Sequence, residues 1–250
     1  MSATRVILVT AGSAGLGAKT ARCFANNGFR VVVNYNSSAD KAAEVLKSLP
    51  TIPEFKDDTH ACIKANLESR TEAEGLVAAA REKMGRLDVI FSNGGWTRFR
   101  DIKNLDDNVV EEEWDRAFNM NVKSHLWLIH AAKAYLEATE GCFILTSSVA
   151  GVHNSGSSLA YSVTKAAQLH LMKSLASTLG PKIRVNSVSP GLLQTEWSER
   201  FSPEFHEAYR QKTKLKRIVE LEDVAQQVLT FANSRSMTGV NVVIDSGFTL

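Results

Sequence analysis

Three cysteines in 250 residues, Cys23, Cys62 and Cys142, are too scattered for a disulfide framework, and their number is odd. A reducing compartment, and with it a cytoplasmic location, is the expectation. Long hydrophobic runs are missing as well. No segment reaches the roughly 18 unbroken apolar residues of a spanning helix, and the short apolar run behind Arg5 is too brief for a signal peptide. No membrane partner is expected. Charge of one sign is also lacking: 29 basic residues face 27 acidic ones, for a formal net charge of +2. Without a dense basic run there is no electrostatic footprint for nucleic acid. The six histidines show no metal spacing such as HExxH, so no metal is expected. His60, His125, His130 and His170 read as core-edge or surface residues.

What is present is an ordinary globular balance, 44% hydrophobic and 22% charged, which argues against disorder. Short β-rich apolar runs alternate with longer stretches of helical spacing. Strands are expected at 5–10, 30–34, 61–65, 88–92, 142–146, 183–188 and 240–244. Helices are expected at 16–27, 39–49, 71–84, 111–138, 158–179 and 221–232. Gly28, Pro50, Gly85 and Gly180-Pro181 act as stops, and 111–138 reads as two helices run together. The strands are continuously apolar rather than alternating, as in a sheet covered on both faces. The helices between them supply the crossovers that parallel pairing requires. The expected fold is α/β: a single doubly wound Rossmann-type domain over 1–250, with a parallel sheet of about seven strands and helices on both faces. Two stretches break the rhythm. One is a polar loop at 96–110. The other, 191–217, carries Trp197, Phe201, Pro203 and Phe205 and reads as a substrate lid within the domain.

The segment from Thr10 to Gly17 reads TAGSAGLG and joins a strand to a helix. Glycines in that setting let backbone approach a pyrophosphate, and the helix N-terminus offers free N–H groups and partial positive charge. The second strand then ends Asn34-Tyr35-Asn36-Ser37-Ser38, and the first acid is Asp40. An acid here would bind a ribose 2′-hydroxyl and repel a 2′-phosphate. A neutral hydrogen-bonding loop accepts the phosphate, which favours NADP(H) over NAD(H). Lys41 is the nearest base, and Ser37 and Ser38 could equally cap the next helix.

Tyr161 and Lys165 lie four residues apart on one face of the helix expected at 158–179. A cation near a phenol favours the phenolate, so the pair can act as a general acid and base on a carbonyl or alcohol oxygen. As an isolated pair it would be unremarked. Ser148 stands thirteen residues upstream, just after the fifth strand, where the ligand crevice of an open α/β sheet lies; its hydroxyl could hydrogen-bond a developing oxyanion. Asn93-Gly94-Gly95 ends the fourth strand in the same crevice. Asn121 sits inside a helix, a poor propensity choice that suggests a task.

Together these residues resemble the classical short-chain dehydrogenase/reductase family over nearly the whole chain. Thr10 to Gly17 fits the family's TGxxxGxG turn, with Ala11 at its first glycine and no arginine at Ala14. Ser92-Asn93-Gly94-Gly95 is similar to its NNAG segment, with two substitutions. Asn121, Ser148, Tyr161 and Lys165 match its catalytic tetrad in order and spacing. Pro190-Gly191 followed by Thr195 matches PGxxxT, and Asp245-Ser246-Gly247 resembles DGG.

The resemblance implies roles. Tyr161 is the acid/base, Lys165 lowers its pKa and holds the nicotinamide ribose, Ser148 orients the substrate oxygen, and Asn121 holds a water that links Lys165 to solvent. For the cofactor it implies Gly12, Ser13, Gly15, Leu16 and Gly17 at the pyrophosphate. It also implies Asn34, Tyr35, Asn36 and Ser37 at the adenosine ribose, Asn66 and Leu67 at adenine, and Asn93 and Gly94 flanking the ribose. Pro190, Gly191, Leu193 and Thr195 fall at the carboxamide end. The expected activity is an NADP(H)-dependent oxidoreductase acting on a ketone, aldehyde or secondary alcohol. An NAD-dependent alcohol dehydrogenase, a redox-neutral or cyclisation enzyme, and an NADP(H) sensor are the alternatives on this fold. The expected partner is a small carbonyl or alcohol, with a homo-oligomer, tetramer or dimer, as the assembly. Trp96, His153, Asn154, Leu193, Trp197 and Phe201 are the expected pocket neighbours, suiting a cyclic or aromatic ketone.

Overall fold

The computed structural model describes residues 4–55 and 59–250; residues 1–3 and 56–58, within the expected 1–250 domain, lie outside the described residues. Seven strands are formed among the described residues: β1 (Val6–Val9), β2 (Arg30–Tyr35), β3 (Ala61–Lys64), β4 (Val89–Ser92), β5 (Cys142–Thr146), β6 (Arg184–Pro190) and β7 (Asn241–Ile244). They make one sheet in the order β3-β2-β1-β4-β5-β6-β7, and every pair is parallel. The chain reverses its direction of travel across the sheet between β1 and β4. A crevice opens there at the carboxyl ends of the strands.

Residues alternate faces along each strand, so a doubly covered sheet needs apolar side chains at every position. On β1, Ile7 and Val9 enter one core while Val6 and Leu8 enter the other, and all four are fully buried. The first core is closed by α1 (Gly15–Asn26), α2 (Ala39–Lys47) and α8 (Leu221–Asn233). The second is closed by α3 (Arg70–Met84), α5 (Ser124–Thr139) and α6 (Leu159–Leu179). Each such buried Val, Leu or Ile contributes roughly 1.5–3 kcal/mol of transfer free energy. The edge strand β7 is less covered than the continuous apolar pattern suggests, and Val243 is 38% exposed.

Three local features differ from the sequence expectation. The stretch expected at 111–138 is α4 (Glu111–Phe118) followed by α5, joined by one π-helical turn, Asn119–Lys123, that carries Asn121. Widened turns of this kind are rare and mark functional positions. The 191–217 stretch is not a bare loop, because it holds a 3-10 turn (Ser198–Arg200) and α7 (Pro203–Lys212). Its start follows ordinary capping rules: Ser202 Oγ accepts from Phe205 N at 3.2 Å, and Pro203 opens the helix. The 96–110 loop contains a 3-10 turn at Leu105–Asn108. Asn108 Oδ1 accepts from Leu159 N at 2.9 Å and ties this loop to the start of α6.

Candidate active site

The glycine turn lies between β1 and α1. Gly12 N donates to Asn34 O at 2.7 Å, and Ala11 N donates to Asn34 Oδ1 at 3.1 Å. Asn34 Nδ2 in turn reaches Ala65 O at 3.1 Å. The side chain expected at the cofactor is therefore buried and holds the turn in place. Gly17 admits no side chain, since a Cβ there would stand 2.3 Å from Ala11 O. Ala11 itself adopts the left-handed region, with φ 48°, where the resemblance has glycine. The first turn of α1 has neither a capping side chain nor an acid, so its N–H groups face the crevice free for an anion. Gly15 has φ +50°, and a Cβ there would lie 3.2 Å from Thr195 Cγ2 across the crevice. That bare backbone facing Thr195 fits a dinucleotide phosphate.

Ser13 and Gly15 line a cavity of about 450 Å3 with Lys41, Gln194, Thr195 and Glu196. Neither Tyr161 nor the expected adenine neighbours Asn66 and Leu67 are among its walls. Tyr35 is half-buried, and Asn36 and Ser37 are exposed at the tip of β2. Ser38 precedes α2 without capping it through its side chain. Leu16 and Leu67 pack into the two cores, so only their main chains can meet a ligand. Asn66 Oδ1 accepts from Glu68 N at 3.0 Å. Thr10 Oγ1 accepts from Asn93 N at 2.8 Å and Gly94 N at 3.3 Å, which joins the ends of β1 and β4. Pro190 ends β6, Gly191 N donates to Ile244 O, and Leu193 forms a parallel bridge with Val219.

The tetrad residues meet where β4, β5 and α6 converge. Ser158 caps α6 by accepting from Tyr161 N at 3.1 Å, which fixes the first turn and the direction of the tyrosine. Lys165 Nζ lies 5.6 Å from the Tyr161 ring centroid, and Ser148, which accepts from Ala150 N at 3.1 Å, stands close enough to the phenol to bear on its pKa. Burial pushes the phenol up to about 12, opposed by Ser148. Burial pulls Lys165 down to about 7. The ammonium donates to Thr146 O at 2.8 Å and Gln168 Oε1 at 3.1 Å. Asn121 is fully buried. Its Oδ1 accepts from Trp96 N at 2.7 Å, and its Nδ2 donates to Trp96 O at 2.9 Å and Thr164 Oγ1 at 3.0 Å. With these bonds Asn121 holds the 95–97 segment against α6.

Two residues near this centre were not singled out by sequence. His125, expected at the core edge or surface, is fully buried on α5. Phe99, hidden in a polar loop, meets Phe201 at 4.9 Å edge-on and Trp197 at 5.9 Å between ring centroids. Trp197 in turn lies 6.3 Å from the Tyr161 ring. Aromatics of the 191–217 stretch and of the 96–110 loop thus converge beside the tyrosine. Trp96 instead lines a separate cavity of about 290 Å3 with Thr97, Arg98, Phe99 and Arg116, and the Arg116 guanidinium stacks over its ring.

The comparisons with known proteins agree with this geometry. A family model described as enoyl-(acyl carrier protein) reductase matches residues 10–249. A relative named "Granaticin polyketide synthase putative ketoacyl reductase 2", from Streptomyces violaceoruber, is 34% identical over 97% of this chain and 95% of its own. The 3-oxoacyl-[acyl-carrier-protein] reductase FabG of Staphylococcus aureus is 30% identical over 99% of both chains. Among solved structures, the Pseudomonas aeruginosa RhlG/NADP active-site complex superposes with a TM-score of 0.88 at 27% identity, covering 100% of this chain and 98% of that one.

Proposed function

The chain belongs to the short-chain dehydrogenase/reductase family and is an NAD(P)-dependent oxidoreductase acting between C=O and CH–OH; from this premise we propose that it is an NADP(H)-dependent ketone or aldehyde reductase in which Tyr161 is the general acid and base. The observation that carries the reading is that the buried Lys165 ammonium lies 5.6 Å from the Tyr161 ring while Ser148 acts to lower the phenol's pKa. When bound, the nicotinamide supplies the hydride. Tyr161 gives its phenolic proton to the oxygen that becomes the alcohol. Ser148 holds that oxygen against the phenol. Because burial keeps Tyr161 protonated across the neutral range, it is set to donate, and donation is what reduction requires. Lys165 offers its remaining N–H to the ribose and the phenol, which favours the transient phenolate.

The preference for NADP(H) is supported by the end of β2. Asn36 and Ser37 are exposed there and no acid precedes Asp40. Lys41, the nearest base after Asn36 and Ser37 in the chain, pairs with Glu196 at 2.5 Å beside the cavity that Ser13 and Gly15 line, and is the residue that would meet a 2′-phosphate. Phe99, Trp197 and Phe201 support a ketone with an apolar or aromatic body. The reading extends to a cytoplasmic homo-oligomer, dimer or tetramer, with the exposed Leu126 of α5 and Val163 of α6 as apolar contacts; light scattering gives its mass. The deciding experiment follows NADPH and NADH oxidation over a panel of cyclic, aryl and 3-oxoacyl thioester ketones. NADPH-dependent turnover that Tyr161→Phe abolishes is the expected result. Turnover that survives Tyr161→Phe, or tight NADPH binding with no turnover on any ketone, overturns it.

A further inference from the structure

Behind Lys165 runs a buried chain of side chains that the acid/base chemistry does not itself use. Gln168, one turn further along α6, is fully buried and places Oε1 at 3.1 Å from Lys165 Nζ. Its Nε2 lies 2.7 Å from His125 Nε2, and His125 Nδ1 lies 2.6 Å from Ser92 Oγ at the end of β4. The polarity of this chain is determined from the lysine end. An ammonium only donates, so Gln168 turns its oxygen toward Lys165 and its NH2 toward the imidazole. His125 Nε2 must then accept, so the ring carries its proton on Nδ1 and donates it to Ser92 Oγ. A doubly protonated ring would set N–H against N–H at Gln168 and break the chain. Burial and the nearby Lys165 charge prevent this by holding His125 at about 3.

We propose that Gln168 and His125 are positioning residues for Lys165. Gln168 and Thr146 O bind two of the three ammonium protons from behind, leaving the third toward Tyr161, and His125 keeps the Gln168 amide in the only orientation that permits this. The other titratable group facing Lys165 is Tyr161 on the same helix. Asn121 and the main chain of Gly95 and Thr146 face it from the remaining elements. With neutral acceptors alone around a buried cation, the position of a single amide oxygen bears directly on how well the charged form is held. The proposal rests on the reading of Lys165 as the partner of Tyr161.

The test reads Lys165 itself as well as turnover. Full-length protein labelled at the lysine side-chain carbons is titrated by NMR without cofactor, and the Lys165 signal is assigned by its loss in Lys165→Met. Gln168→Leu removes the acceptor and lowers the Lys165 midpoint by about one pH unit, whereas Gln168→Glu supplies a charged acceptor and raises it. His125→Phe lowers it less, and adds nothing in the Gln168→Leu background because it acts through the amide. Thermal unfolding verifies that each variant is folded, and a purely structural role would change those melts without moving the midpoint. In NADPH-dependent turnover the pH profile moves in the same direction as each midpoint, and kcat of Gln168→Leu falls about tenfold. A Lys165 midpoint that is the same in the parent, Gln168→Leu and Gln168→Glu overturns the proposal. Midpoints that move as stated in a protein that reduces no ketone overturn the proposed function and leave the positioning role standing.

Discussion

The sheet crevice and the 191–217 stretch are held by different forces. Around Lys165, Asn121 and His125 the polar atoms are buried and tied by hydrogen bonds of 2.6–3.1 Å, all but the Lys165–Gln168 bond to partners on other elements. In the 191–217 stretch, α7 buries none of its residues, and the contacts toward the active centre are rings: Trp197, Phe201 and Phe205, the last two stacked at 4.3 Å. Buried hydrogen bonds demand one geometry, because a lost partner leaves an unsatisfied group at a cost of roughly 1–3 kcal/mol. Ring contacts tolerate sliding and exchange. Under the proposed function, the crevice holds the proton donor still and the 191–217 stretch meets substrates of differing shape.

The largest test of that division is Tyr161→Phe. It should lower kcat roughly 10³-fold while NADPH affinity, read by fluorescence titration, stays within a factor of two or so. Trp197→Ala should do the reverse, raising KM about tenfold with kcat nearly intact and the melting temperature little changed. If Trp197→Ala lowered kcat as Tyr161→Phe does, the separation of chemistry from recognition would collapse. Lys41→Glu lies between the two regions; it should weaken NADPH about tenfold and leave NADH unaffected, as measured by the two dissociation constants.

A pH experiment sharpens the crevice side. His125 falls from its ordinary 6.5 to about 3 in the folded protein because burial disfavours its charge. As pH drops, the unfolded chain takes this proton first, so the stability due to a neutral His125 is complete above pH 6.5 and is lost progressively toward pH 3. His125→Leu should flatten that part of the melting-temperature profile relative to the parent. Ala11→Gly should have the smallest effect. It relieves a left-handed alanine at φ 48° and should stabilise the fold by about 0.5–1 kcal/mol, a rise of about 2 °C or so in Tm.

Most of the fold was legible in the chain because apolar periodicity is a local property. All seven strands among the described residues coincide with apolar runs, and β3 ends at Lys64, one residue short of the expected Ala65. The α7 helix was not legible: it has no buried face, so it leaves no periodic signal, although Ser202 and Pro203 mark its start. The π turn at Asn119–Lys123 was hidden for another reason, since it interrupts no hydrophobic pattern and carries neither glycine nor proline. His125 looked like an ordinary helix histidine because its partners, Ser92 and Gln168, lie 33 and 43 residues away in sequence.

The sequence by itself determined the doubly wound α/β architecture, the glycine turn at Thr10 to Gly17, and the order and spacing of Asn121, Ser148, Tyr161 and Lys165. Each depends on residues near one another along the chain or on the period of an element. The tertiary structure alone decided that Asn34 and Asn121 hold backbone in place and that Phe99 meets Trp197 and Phe201. It also decided that Lys165 ends a buried line reaching back through Gln168 and His125 to Ser92. Which polar atom satisfies which is settled only when three elements close around a space that excludes water, and no local pattern records that event.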